Sequence, residues 1–214
     1  SASDEGRINK GAAKILFGKV YLTKGDFQKA KDKLAEVVEH ESEYGFGLHK
    51  DYHANWLRDT EAGIEAVLYI EYKEPPFQHN GEMALAGPKY SIPGSLGISA
   101  LNEADIPTQE LYDQFDNRDL RKKTNFKTEF AHLKTGEILK SSIPLSGKFW
   151  VEGLETGDRC DVNMHIIRYA DAILMYAEAL NEVGESTKAL AMLNRIRERA
   201  FGDDSGNFKP MSKD

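Results

Sequence analysis

A helical hairpin that occurs twice, its copies far apart in the chain, constrains this sequence more than any other feature. In the first copy, apolar residues fall at Ile8, Ala12, Ile15, Leu16, Tyr21 and Leu22, close to a 3.6-residue period. Gly25 stands where a helix end takes a left-handed residue. Asp26 is placed to cap a second helix carrying Phe27, Ala30, Leu34, Val37 and Val38 on one face. The second copy repeats this plan. Ile167, Ala170, Ile173, Leu174, Ala177 and Leu180 form a stripe, Gly184 ends it, and Ser186 or Thr187 can cap the next helix. Ala189, Leu190, Leu193 and Ile196 line that helix's inner side.

The two copies superpose without gaps. Phe17, Gly18, Tyr21, Gly25, Ala30, Leu34 and Val37 correspond to Tyr176, Ala177, Leu180, Gly184, Ala189, Leu193 and Ile196, each pair offset by 159 positions. Large, small, large, glycine, alanine, large, large is the tetratricopeptide pattern. The small residues let antiparallel helices approach closely, and the large ones fill the groove at about 1.5–3 kcal/mol each on full burial. Two unrelated hairpins sharing a coarse pattern is the alternative, and the coincident glycine and alanines weigh against it.

A tandem array would repeat at about 34 residues, whereas here the copies frame a long non-repeating stretch. Ile64 to Tyr72 alternates and reads as a strand. Pro75 to Pro107 is rich in Gly, Pro, Asn and Ser with scattered aromatics, an irregular excursion of a length that usually has a task. Thr108 can cap a short helix bearing Leu111, Tyr112 and Phe115. Lys122–Phe130 and Ile138–Ile143 can pair around Thr135-Gly136. The expected fold is mainly α: tetratricopeptide-like hairpins forming an α-α superhelical scaffold, with long irregular loops and a few short strands. Residues 1–214 are expected to form one domain, with hairpins over 8–41 and 165–200 and a strand and loop excursion over 62–160.

Composition narrows the function. A net charge of -7 with no block of either sign argues against a nucleic-acid partner. Arg118–Lys127, the most basic stretch, is interrupted by Asp119, Thr124 and Asn125 and reads as a solvated face. Cys160 is the single cysteine, so no intrachain disulfide and no Cys-rich metal cluster can form. No apolar run approaches the ~20 residues needed to cross a bilayer. No signal peptide is read at the start, and Ser1-Ala2-Ser3-Asp4 reads as the trimmed edge of a fragment.

The run Ile167-Arg168-Tyr169-Ala170-Asp171-Ala172-Ile173-Leu174-Met175-Tyr176-Ala177-Glu178-Ala179-Leu180-Asn181-Glu182 closely resembles the hallmark helix of SusD/RagB-family proteins, and Ala189 to Ala200 continues the likeness. Pro107 to Phe115 followed by Asp119-Leu120-Arg121 is similar to another block of that family, and Gly11-Ala12-Ala13 through Gly25-Asp26-Phe27 to its internal hairpin. The resemblance implies a surface-exposed outer-membrane lipoprotein that captures oligosaccharides or other nutrients without catalysis. It further implies delivery to a TonB-dependent, SusC-like transporter. Members are commonly more than twice as long, so the chain reads as the C-terminal part, with membrane contact only through a lipid anchor that it lacks. An intracellular tetratricopeptide adaptor gripping a peptide tail is the alternative; it predicts adjacent repeats and a basic groove. An enzyme ranks below both.

Sugar recognition sets aromatic faces against C–H faces and polar side chains against hydroxyls. In the excursion Phe77, His79, Asn80 and Tyr90 are the expected ligand contacts, with Gln78 and Met83 beside them. The bland reading is that Phe77 and Tyr90 pin the loop. Trp56 and Trp150 are expected to pack. His49 and His53 are spaced for a metal on a helix, but no third ligand lies near, so they are read as surface histidines. Glu178, Glu182 and Asp171 are read as ion-pair partners for Arg168, Arg195, Arg197 and Arg199 and not as a glycosidase pair. Ser95 lacks a nucleophile-elbow context, and phosphate-binding glycine loops are missing. Cys160, between Arg159 and Asp161, invites a reading as a mildly nucleophilic thiol. No cofactor is expected, and a structural calcium is not derivable from these residues.

Overall fold

The computed structural model describes residues 8–73, 79–92 and 96–210. In chain order the helices are α1 (Lys10–Thr23), α2 (Phe27–Val38), α3 (Glu41–Tyr44), α4 (Glu82–Ala86), α5 (Gln109–Gln114), α6 (Lys122–Asn125), α7 (Tyr169–Glu182) and α8 (Ser186–Phe201). The strands are β1 (Ala66–Ile70), β2 (Phe126–Ala131), β3 (Ile138–Ser146) and β4 (Met164–Arg168). Mainly helical, with few short strands, the fold is the one expected. The chain divides into two compact units, where the sequence suggested one domain. The first takes residues up to Asp51, Ala62–Tyr69 and everything from His165; the second takes Tyr52–Glu61 and Ile70–Met164.

In the first unit the 159-residue offset holds at the start and end of α1 against α7 and at the start of α2 against α8. Both hairpins turn the same way. Gly25 (φ +74°) and Gly184 (φ +86°) take the left-handed conformation that a side chain would oppose. The next residue, Asp26 or Glu185, donates its backbone N–H to the carbonyl of Tyr21 or Leu180 at 3.0 and 2.8 Å. This is the Schellman closure, which satisfies carbonyls the helix leaves open. Caps differ from expectation. Asp26 spends its carboxylate on Lys29 Nζ at 2.6 Å, and Ser186 lies inside α8 with its hydroxyl donating to Asn181 Oδ1 at 3.0 Å.

Close approach within the first hairpin depends on Gly18, where a Cβ would come within 2.5 Å of Leu34 Cγ. Leu34, Val37, Ala12 and Ile15 share one buried cluster with Ala170, Ala172, Ile173, Tyr176, Leu180, Ala189 and Ile196. Several stripe residues depart from the reading, Ile8 among them at 64% exposed. Ile167 belongs to β4, since α7 starts only at Tyr169, whose N–H is taken by the Glu65 carbonyl at 2.8 Å. Leu174 and Leu16 face solvent. Leu193 is half-buried, where its counterpart Leu34 is fully buried.

At the middle of this unit sits Glu65, with no exposed surface. Arg168 Nη1 and Arg199 Nη1 donate to its two oxygens at 2.5 and 2.9 Å, and His49 N–H adds a third bond at 3.1 Å. Arg195 turns to Glu41 at 2.9 Å, and the Tyr169 hydroxyl donates to the same carboxylate at 2.6 Å. Arg168, Arg195 and Arg199 thus turn to these inner carboxylates, and Glu178 and Glu182 are left at the surface; Asp171 pairs with Lys19 at 3.5 Å. The ion pairs differ from those expected because i,i+4 pairing on a wet surface is worth only ~0.3–0.5 kcal/mol, less than a buried carboxylate demands.

The second unit is built on β2 and β3, antiparallel with an irregularity between Lys127 and Glu129. Gly136 (φ +70°) makes their turn. The strand read at Lys122–Phe130 begins only at Phe126, because Lys122–Asn125 coil as α6. Arg121 N–H and guanidinium are both held by Asp119 there, and Asn125 N–H reaches back to Arg121 O at 2.8 Å. Phe130 and Leu145 of the hairpin bury Ile92, Leu96 and Leu101 of the excursion. A second cluster joins Tyr52, Trp56, Met83, Cys160 and Val162. Thr108 caps α5 as read, accepting from Leu111 N–H at 3.2 Å. Among the described residues, no helix is long and apolar enough to cross a membrane.

Candidate functional site

Over its described residues the excursion is a stapled loop that presents the Tyr90 ring. Gly87 ends α4 where a Cβ would collide with the Leu101 side chain, so the returning chain can lie close over it. Asn102 and Ala104 then donate their N–H groups to Ala84 O and Leu85 O, both at 2.7 Å, and Glu103 N–H to Gly87 O at 3.0 Å. This return passes through two left-handed residues that are not glycine, Ala100 (φ +61°) and Glu103 (φ +53°). Such conformations cost about 1–3 kcal/mol and persist only where surroundings impose them.

That twist aims the Glu103 carboxylate back at the opposite limb. Its Oε2 accepts the backbone N–H groups of Lys89, Tyr90 and Ser91 at 2.9, 2.5 and 3.0 Å. Burial works to raise this carboxyl, but the three donors outweigh it and hold it below the usual carboxylate range. Just beyond, Ser91 and Ile92 are buried, and Ser142 N–H ties Ser91 O to β3 at 3.1 Å. Between these anchors Tyr90 is 76% exposed, with the Lys89 ammonium 5.2 Å from its ring centroid. A flat ring on a fixed backbone suits stacking against a sugar, since little order remains to be imposed on binding. We expect Ala100→Gly to raise stability by roughly 0.5–1 kcal/mol in urea unfolding, because relief of the left-handed penalty exceeds the added chain entropy.

The other predicted contacts fare differently. Phe77 and Gln78 lie outside the described residues. His79 is exposed. Asn80 is 2% exposed and fully occupied: Nδ2 donates to Val162 O at 2.9 Å, and Oδ1 accepts Glu82 N–H at 2.8 Å. Its amide pins the start of the loop and offers nothing to a ligand, which corrects the reading of Asn80 as a contact. Met83 likewise belongs to the core. Among the described residues, no hydrogen bond or ring contact joins His79 to Tyr90. Sequence reasoning missed Glu103; the Ala100–Glu103 return carries no Gly or Pro signal, and three backbone donors on one oxygen cannot be read from residue types.

The side chains weighed for other chemistry are packed. Trp56 is buried, and Trp150 sets its edge against Phe130 (4.7 Å, 74°) while donating to Glu152 Oε1 at 2.9 Å. His49 and His53 are half-buried, not surface residues. Among the described residues, no three His, Cys, Asp or Glu side chains converge as a metal site. Cys160 is buried with its thiol toward Phe149 O, and burial pushes that thiol up to about 11, which corrects the reading of a nucleophile. Burial also pushes Glu61 up to about 7, but its carboxylate accepts Asn163 N–H at 2.8 Å from within the fold.

Two open clefts of about 390 and 400 Å³ flank α5. Ile106, Leu111, Phe115, Phe126 and Lys148 line the first, and its Asn125 amide is engaged by the Tyr52 hydroxyl at 3.0 Å. In the second, the Lys122 ammonium is held by Phe115 O and Asn117, and that of Lys127 by Glu152. Neither matches the exposed, anchored ring at Tyr90 as a sugar platform.

Comparison with known proteins supplies the frame for this geometry. Residues 144–212 match the SusD_RagB family, described as the SusD family. The SusD-like protein P2 of Formosa agariphila is 29% identical over 95% of this chain, and 44% of that relative is covered. The chain is thus similar to SusD-family proteins, by the family match over residues 144–212 and by this relative along most of its length. A SusD superfamily protein from Parabacteroides distasonis shares the fold with a TM-score of 0.81 at 24% identity, over 97% of this chain and 47% of that one. Surface glycan-binding protein A from Bacteroides thetaiotaomicron, in complex with laminarihexaose, does so with a TM-score of 0.71 at 17% identity, over 99% of this chain and 51% of that one. The chain spans less than half the length of the curated SusD-like relative described. The stretch matched to the SusD family contains β4, α7 and α8, and so includes Arg168, Arg195 and Arg199, whose carboxylate partners Glu65 and Glu41 lie upstream of it.

Proposed function

We propose that this protein binds oligosaccharides at the bacterial cell surface, without catalysis, and passes them to a TonB-dependent, SusC-like outer-membrane transporter. The observation that carries the reading is the Tyr90 ring, held out on a backbone fixed from both sides, on a fold shared with a protein solved in complex with laminarihexaose. The match of residues 144–212 to the SusD family and the likeness to a SusD-like protein support it. Tyr90 supplies the stacking face and His79 a flanking polar group; Phe77, in the same loop, is a second aromatic candidate. No cofactor takes part, and attachment to the outer membrane is through a lipid anchor.

Isothermal titration with a panel of oligosaccharides, laminarihexaose among them, tests the proposal. Tyr90→Ala should weaken binding by about tenfold or more, as loss of an aromatic anchor does, while leaving the unfolding midpoint essentially unmoved. Equal affinity in the variant, or no oligosaccharide bound by the parent protein, would remove the reading. Unchanged mass of every bound sugar after prolonged incubation is the expected sign that no hydrolysis occurs.

A further inference from the structure

We infer that Glu103 is the positioning residue of the Tyr90 platform, a role that rests on the sugar-binding reading of Tyr90 but has its own structural test. The backbone limb carrying Tyr90 has three successive N–H groups pointing the same way, and all three end on one carboxylate oxygen. Three donors converging on one acceptor fix the backbone of this limb, from which Tyr90 stands exposed between an exposed Lys89 and a buried Ser91. Glu103 reaches that place only through its left-handed backbone and the neighbouring turn at Ala100. Its own N–H is fixed on Gly87 O, so the carboxylate is tied to the end of α4. Local strain is thereby coupled to the exposure of one ring. A charged acceptor suits this place better than a neutral one, because charge-assisted bonds are roughly twice as strong.

The consequence is a division of labour. Tyr90 touches the sugar, and Glu103 acts only through Tyr90, by restricting the limb to one conformation before any ligand arrives. Loss of Glu103 should therefore cost affinity without removing any sugar-contacting atom.

Amide hydrogen exchange on the ligand-free protein tests this without knowledge of the natural sugar. Glu103→Ala should speed exchange at Lys89, Tyr90 and Ser91 by about tenfold or more, with α7, α8 and the β2–β3 hairpin unchanged. Glu103→Gln, which keeps one neutral acceptor, should fall between parent and alanine. Unaltered exchange at the three amides, or an equal rise throughout the β2–β3 hairpin, would overturn the inference. A binding cycle adds the readout that a merely structural residue would not give. For any panel oligosaccharide weakened by Tyr90→Ala, Glu103→Ala should weaken binding in the parent but add nothing in the Tyr90→Ala background. Independent, additive losses would overturn it. An oligosaccharide indifferent to Tyr90→Ala would instead remove the sugar reading, and the exchange result would still decide the role of Glu103.

Discussion

Glu65→Ala is expected to destabilise the first unit by about 3–5 kcal/mol, the largest single effect we foresee. Truncation removes a carboxylate with no exposed surface and strands the Arg199 guanidinium, whose side chain is only 6% exposed, together with Arg168. It also leaves His49 N–H without its acceptor. The cost comes from the partners left behind more than from the bonds lost, because the buried Arg199 guanidinium and the half-buried one of Arg168 both lose this counter-charge. Urea unfolding followed by far-ultraviolet circular dichroism gives the number. Replacing the group by a matched apolar set, Glu65→Leu with Arg199→Met, should recover much of the loss, since buried ion groups rarely outperform good apolar packing. A loss below about 1 kcal/mol for Glu65→Ala would contradict the closed geometry of this triad.

Leu34→Ala comes next, at about 2–5 kcal/mol. Leu34 is fully buried, and its branch point lies over Gly18, so truncation opens a cavity that α1 can fill only by shifting. The same change at its repeat counterpart Leu193, which is half-buried, should cost clearly less. Denaturant unfolding of the two variants side by side is the measurement. Equal losses would mean that the two hairpins bury their matching positions alike, against the asymmetry seen here.

The hairpins were legible in the sequence because each signal behind them is local. A period of 3.6, a glycine at the turn and alanines at the crossing recur 159 positions apart, and the helix limbs start in register with that offset. What the sequence left hidden depends on partners distant in the chain. Ile167 has the same apolar character as the α7 stripe, and only the Glu65 carbonyl decides that the helix starts two residues later. Arg168, Arg195 and Arg199 seemed suited to neighbouring glutamates, but Glu65 and Glu41 take them from over a hundred residues away. At the candidate site Tyr90 was visible as an aromatic in an irregular loop. Asn80 looked equally suitable, because a side-chain amide that binds sugar hydroxyls is the same group that satisfies backbone carbonyls. Burial separates the two, and burial in a loop is set by tertiary packing.

The wide separation of the paired hairpins has a consequence for how the molecule is made. Tyr169 must find Val38 across 131 residues of chain, and Tyr176 must find Glu39 across 137. At ribosomal speeds of about 5–20 residues per second, Leu34 and Val37 therefore wait on the order of ten seconds before their lid of α7 emerges. Through that interval the nascent first hairpin shows its greasy side to the surroundings.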